Sequence, residues 1–148
     1  MPAEAPPAGA IEVDVDLPAP PAAAFAAWTR ADEVTRWWGA EGVYRTTAWS
    51  AEVRPGGLWR AEFDDGGASA EGRYLVVEPA RRLVWTWRAS WAPDEETTLF
   101  MNFAPSERGA RLVIRQVGLA DAAAHADNEA AWRQITGWLE AHLSAATG

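Results

Sequence analysis

The chain contains no cysteine. Disulfides, iron–sulfur clusters, thiolate zinc sites and cysteine nucleophiles are therefore excluded. It contains no lysine either, because all 13 basic residues are arginine. Schiff-base chemistry and a phosphate-loop lysine fall with it. No apolar run approaches the roughly 20 residues that a membrane-spanning helix needs. The 21 acidic residues outnumber the basic ones and leave a net charge of −8. Such a chain is a poor partner for a phosphate backbone and for an anionic membrane surface, so neither nucleic acid nor membrane is expected. Two histidines do not make a zinc site without carboxylates at matching spacing, and none stands there. No metal and no cofactor is expected. Gly56-Gly57 and Gly66-Gly67 precede no helix, so they read as turns and not as phosphate loops. Serines occur, but no G-x-S-x-G elbow surrounds one. Tyrosine and phenylalanine are scarce, at 2 and 4, whereas tryptophan numbers 10.

A length of 148 residues suits one domain, at roughly 100–200 residues each. Residues 1–10, MPAEAPPAGA, lack the basic and continuous apolar regions of a signal peptide. Their proline and alanine content reads as a disordered leader, leaving 11–148 as a single domain. A cytoplasmic location follows by default and agrees with the missing cysteine.

Residues 11–17, IEVDVDL, alternate strictly, with Ile11, Val13, Val15 and Leu17 on one face, and predict a half-buried strand. Pro18, Pro20 and Pro21 end it. Phe25 and Trp28 mark the buried stripe of a helix over 21–29. Asp32 is the expected N-cap of a second short helix that Gly39 stops. From residue 46 the period becomes two. Trp49, Ala51 and Val53 alternate up to the turn at Pro55-Gly56-Gly57. Trp59, Ala61 and Phe63 alternate up to the turn at Asp64–Gly67. Leu83, Trp85 and Trp87, then Leu99, Met101 and Phe103, then Leu112, Ile114 and Gln116 continue the pattern. The strand over 70–77 has two registers open: Arg73, Leu75 and Val77 inward, or Tyr74 and Val76 inward. A long helix over about 121–143, with Asp121 as candidate N-cap, places His125, Asn128, Trp132, Ile135, Leu139 and Leu143 in one stripe, with Trp138 at its edge. One apolar sheet face and one apolar helix face must meet. The expected fold is α+β: a curved antiparallel sheet of six to seven strands wrapped around a long C-terminal helix, with two short helices after strand 1.

The inward residues are unevenly sized. Trp49, Trp59, Trp85, Trp87 and Trp132 are broad and stiff, whereas Ala51 and Ala61 are small. Close-packed cores favour interdigitating aliphatics, although tryptophans at period two also occur in ordinary cores. Rings beside alanines suit the wall of a cavity. Buried indoles need acceptors for their N–H groups, and the inward acceptors are few: Gln116 and Asn128. A dry pocket of about 300 Å³ would cost on the order of 7 kcal/mol, so a cavity here is expected to be wet, occupied or open.

Three segments together carry a family resemblance: Trp37-Trp38-Gly39; Arg54-Pro55-Gly56-Gly57; and Glu78-Pro79 followed by Leu83-Val84-Trp85-Thr86-Trp87. Over about residues 11–143 the chain resembles the START-like superfamily, also called SRPBCC or Bet v 1-like. Within it the chain is most similar to bacterial relatives of the activator of Hsp90 ATPase. The resemblance implies a helix-grip fold with a hydrophobic cavity between sheet and long helix. It implies no single activity: members bind lipids, sterols or aromatic polyketides, some catalyse cyclisation or dehydration, and the namesake stimulates a chaperone's ATPase. Relatives often carry a His, three residues ending in Gly, then Trp in the last helix. Here Asn128 and Ala131 stand before Trp132, which narrows the cleft and removes a titratable ring.

The expected ligand is a small hydrophobic or aromatic molecule, bound by a monomer or homodimer. Trp37, Trp38, Trp59, Trp85, Trp87 and Trp132 are expected to line the cavity. Trp49, Phe63 and Met101 complete its wall, and Gln116 and Asn128 supply polar groups. His125 is the candidate for proton transfer, against the alternative of a histidine capping the helix or facing solvent at the mouth. His142 is expected in solvent near the helix end. Arg73 either points inward to meet a ligand anion or outward beside Glu71 or Glu62. Glu52 and Glu62 read as outward, and Asp94-Glu95-Glu96 as a solvated loop. A chaperone-interacting role would need an apolar patch on the outer sheet face, where Val84, Val113 and Val117 are the hints.

Overall fold

The computed structural model describes residues 10–119 and 122–147. The elements are β1 (Ala10–Leu17), α1 (Pro21–Thr29), α2 (Ala31–Trp37), β2 (Gly39–Ala40), β3 (Tyr44–Ala51), β4 (Leu58–Phe63), β5 (Ser69–Glu78), β6 (Arg82–Ala89), β7 (Ala92–Pro105), β8 (Ala110–Val117) and α3 (Ala122–Thr147). The strands form one curled antiparallel sheet in the order β1-β8-β7-β6-β5-β4-β3-β2. The architecture is the expected α+β helix grip, with eight strands instead of six or seven. The extra strand is the two-residue β2, too short to leave a periodic trace. Residues 1–9 of the expected leader and the expected cap Asp121 lie outside the described residues.

Register explains how the sheet sorts its side chains. Val13, Ile114, Met101, Leu83 and Val77 face one another in successive strands and form an apolar row on the inner face. The next row runs Ile11, Gln116, Leu99, Trp85 and Tyr74. The outer face carries alternating charge instead, as in the row Arg60, Glu71, Arg88 and Glu96. Arg60 meets Glu71 at 2.8 Å and Arg88 meets Glu96 at 3.7 Å. These exposed pairs add little stability singly, and Leu58 and Leu75 are exposed beside them on the same face. Arg73 joins the outer set, opposite Leu58, and Glu52 and Glu62 are exposed as expected.

Neither register proposed for β5 holds along its whole length. An irregularity between Tyr74 and Val76 shifts the pairing by one residue. Tyr74 is fully buried before it, and Val77 packs on the core after it. Leu75 is left outward, 46% exposed. A bulge of this kind also bends the strand, as a gripping sheet requires. Likewise Asp94-Glu95-Glu96 is not a loop but part of β7, although Pro93–Glu95 interrupt the ladder between Ala89↔Ala92 and Arg88↔Glu96. β3 stops at Ala51, leaving Val53 exposed.

Helix α1 occupies the span expected for it, with Pro21 at its first position, where a missing N–H is harmless. Its Phe25 meets Phe103 of β7 edge to face at 5.5 Å. Asp32 does not cap α2. The cap position is Arg30, without a side-chain cap bond, and Asp32 sits in the first turn bound to Arg30. Gly39 follows α2 with φ +132°, and a Cβ there would lie 2.3 Å from the Tyr44 carbonyl oxygen. Only glycine tolerates both. On α3, Trp132, Ile135, Leu139 and Leu143 are buried. Fully burying a leucine is worth roughly 1.5–3 kcal/mol, so this stripe holds α3 across the sheet. His142 is not left to solvent: its ring nitrogen lies 2.8 Å from the Glu33 carboxylate and ties α3 to α2.

Candidate functional site

Nine of the ten tryptophans fall into two groups, and the tenth, Trp138 on α3, meets Tyr44 edge to face at 5.5 Å. Trp28 on α1 is the hub of the first, with ring centroids 4.9 Å from Trp37 and 6.4 Å from Trp85. Trp59 stacks on Trp49 at 5.3 Å and meets Trp85 edge to face at 4.9 Å. These rings pack solidly. Trp37 donates to the Ala27 carbonyl at 2.8 Å and Trp59 to the Thr86 carbonyl at 2.9 Å. Gly72 makes the second bond possible, because a Cβ there would lie 1.9 Å from the Thr86 oxygen and 2.7 Å from the Trp59 nitrogen. The buried N–H groups of Trp28, Trp49 and Trp85 find no acceptor among the described residues.

The second group borders open space. Between the inner sheet face and α3 lies a cavity of about 380 Å³, within the range of small-molecule sites. Trp38, Trp87 and Trp132 contribute its indoles, and Trp91 stands at its edge, 63% exposed. Trp38 and Trp87 lie 7° from parallel, and Trp132 crosses them at 65° and 70°. Tyr44 and Phe63 add two more rings, 5.5 Å apart and edge to face.

The polar groups on this wall are largely committed to one another. Gln116 of β8 donates from Nε2 to the Thr97 hydroxyl at 2.9 Å, while its Oε1 accepts the Trp132 indole N–H at 2.9 Å. Asn128 donates to the Ala124 carbonyl one turn earlier in its own helix, at 2.8 Å. The Tyr44 oxygen accepts the Trp38 N–H at 3.2 Å. Burial pushes the Tyr44 hydroxyl pKa up; the Trp38 bond works against this and the nearby Asp65 charge adds to it. Tyr44 is therefore a neutral phenol at ordinary pH. Asp65 and Glu95 also border the cavity.

Six residues expected in the wall border the cavity: Trp38, Phe63, Trp87, Gln116, Asn128 and Trp132. The structure places Trp37, Trp49, Trp59, Trp85 and Met101 elsewhere, in the solid core. His125 is half-buried, does not border the cavity, and keeps a buried Nε2 without a partner among the described residues. Sequence reasoning missed Tyr44, Asp65, Trp91, Glu95 and Thr97. Extending the alternation of Leu99 and Met101 back by two residues reaches Thr97. Asp65 lies in a turn and Glu95 in the interrupted part of β7, where alternation carries no signal. Among the described residues, no group of His, Asp or Glu is arranged to hold a metal ion.

A curled sheet closed by a long helix, with an aromatic hollow between them, defines a helix-grip domain of the START-like, or SRPBCC, superfamily. Within it, this chain belongs to the activator of Hsp90 ATPase homolog 1-like family, whose model matches residues 18–144. Solved structures agree. Protein CV1439 from Chromobacterium violaceum is 26% identical, with a TM-score of 0.77, over 91% of this chain and 97% of that one. A protein from Rhodobacter sphaeroides is 23% identical, with a TM-score of 0.79, over 93% of each chain. DynU16, from the dynemicin biosynthetic locus, is 23% identical with a TM-score of 0.78, over 93% of this chain and 48% of that one. No curated protein matches the chain.

Proposed function

We propose that this protein binds a small hydrophobic or aromatic molecule in the cavity between sheet and α3. The observation that carries the reading is the division of the tryptophans. One set is packed solid, while Trp38, Trp87 and Trp132 border a partly open cavity of about 380 Å³. The net charge of −8 supports partners other than nucleic acid. Among the described residues no helix is long and apolar enough to cross a membrane. The reading includes a cytoplasmic monomer or homodimer.

The alternatives have less support. A cyclase or dehydratase built on His125 needs that ring to face the ligand, and it does not border the cavity. A chaperone-interacting role needs an apolar outer patch; of the three valines expected to form one, Val84 is buried and Val113 and Val117 are half-buried. Native mass spectrometry of freshly purified protein tests the binding reading. A co-purifying small molecule is expected, displaced when Trp132 or Trp87 is replaced by a smaller residue. If no small molecule co-purifies and a panel of hydrophobic and aromatic compounds leaves the tryptophan fluorescence unchanged, the reading fails.

A further inference from the structure

Indole N–H groups set the polarity of two hydroxyls at the cavity. An indole nitrogen only donates. Trp132 therefore holds the Gln116 oxygen as acceptor, which turns the Gln116 nitrogen toward Thr97 as donor, each bond at 2.9 Å. The Thr97 oxygen accepts, so its hydroxyl hydrogen is left to donate elsewhere. Trp38 acts on Tyr44 in the same way, occupying the phenolic oxygen at 3.2 Å and leaving its hydrogen. Neither hydrogen finds an acceptor among the described residues. Both residues border the cavity. They flank one pair of rings, since Thr97 pairs with Trp87 across β6 and β7, and Trp87 lies 7° from parallel with Trp38. Asp65 and Asn128 carry acceptor oxygens at the same wall, but they are exposed and half-buried, so water can serve them. Thr97 is only 2% exposed, and a buried donor without an acceptor is costly. Among the described residues no Arg or His borders the cavity, so an anion would meet no cationic side chain there. Buried charge without a partner is unfavourable.

We propose that the guest of this cavity is an uncharged carbonyl compound with an aromatic body, its oxygen accepting from the Thr97 hydroxyl, with the Tyr44 hydroxyl as second donor. The inference rests on the reading that the cavity takes a ligand, and adds the polar group by which it is recognised. The test compares 1-indanone with indane, which lacks the carbonyl, and with indane-1-carboxylate, which carries a charge. Binding is followed by tryptophan fluorescence and calorimetry. Transfer from water alone favours indane, so a preference for the ketone reports a hydrogen bond. 1-Indanone is expected to bind roughly threefold or more tightly than either other probe. Its carbonyl stretch should move to lower wavenumber on binding than in an apolar solvent. Thr97→Val keeps the shape of the side chain and the cover over the Gln116 amide. It should lower affinity for 1-indanone about three- to tenfold and leave that for indane unchanged, whereas Thr97→Ser should retain the preference. Adding Tyr44→Phe to Thr97→Val should abolish the preference altogether. Melting curves establish that the variants are folded. Equal or tighter binding of indane or of the carboxylate, an unshifted carbonyl stretch, or a preference that survives in the double variant overturns the donor assignment and leaves the binding reading intact. Saturable binding of none of the three to folded protein overturns both.

Discussion

The indole nitrogen of Trp132 on α3 donates to the side-chain oxygen of Gln116 on β8 at 2.9 Å, and the Gln116 nitrogen donates onward to the Thr97 hydroxyl of β7 at 2.9 Å. One fully buried amide thus joins the long helix to two strands at the cavity wall. Gln116→Leu keeps the bulk but leaves an indole N–H and a hydroxyl without their partner. Leaving such buried groups unsatisfied costs about 1–3 kcal/mol. Urea unfolding should show that loss, and Trp132→Phe should add less to Gln116→Leu than it costs alone, because the two residues share one bond. Strictly additive losses would mean that the bond does not couple helix and sheet.

Gly72 is fixed by crowding and not by a turn. A methyl group there would enter the Thr86 carbonyl oxygen and the Trp59 nitrogen, at 1.9 and 2.7 Å. Gly72→Ala should destabilise the protein by about 3 kcal/mol, at the upper end of ordinary overpacking. It should also shift the tryptophan fluorescence, because Trp59 loses its carbonyl acceptor. A melting temperature within a degree of the parent would contradict the geometry.

These contacts show where reading the sequence stops. Alternation told which face of a strand each residue takes, and Trp59, Trp85 and Trp87 do share the inner face. It did not tell how far along the strand α3 crosses. That depth decides whether an indole is fully enclosed, as Trp85 is, or packs on other rings and still borders the cavity, as Trp87 does. Adjacent Trp37 and Trp38 part in the same way at the end of α2, one bonded to the Ala27 carbonyl and the other bordering the cavity. The bulge at Tyr74–Val76 and the interruption at Pro93–Glu95 break the period itself. The second of these is why Glu95 read as a solvated loop. The span of α1, by contrast, was legible because prolines mark its start and a compact apolar stripe follows.

Tyr74 predicts an alkaline limit to stability. Its ring is fully buried and its hydroxyl has no partner among the described residues. Burial pushes its pKa well above the ordinary tyrosine value. The unfolded chain loses the proton at a pH of about 10, whereas the folded protein retains it. Stability from this group is therefore full below about pH 10 and falls as pH rises beyond it. In a Tyr44→Phe background, where Tyr74 is the single tyrosine, absorbance of tyrosinate should appear only together with unfolding. Tyr74→Phe removes an unsatisfied group, so it should cost nothing, should gain about 1 kcal/mol, and should extend the stable range upward. Tyrosinate absorbance in Tyr44→Phe protein that remains folded near pH 10 would contradict this.

Trp91 separates the two roles of tryptophan most cleanly. It sits in the two-residue turn between β6 and β7, 63% exposed, and borders the cavity. Its nearest ring contact is Phe63, at 6.3 Å. So large an apolar side chain gains little stability in that position, and Trp91→Ala should change unfolding free energy by no more than about 0.5 kcal/mol. If the cavity takes a ligand, the same substitution removes one of its rings. The affinity of whichever probe binds should then fall about three- to tenfold, the loss of one exposed aromatic contact. Acrylamide offers an independent measurement, because a bound guest should shield Trp91 from quenching and the Trp91→Ala variant should lack that protected component. A large loss of stability would instead assign Trp91 to the fold, and unchanged affinity with unchanged stability would place the ligand away from the β6–β7 turn.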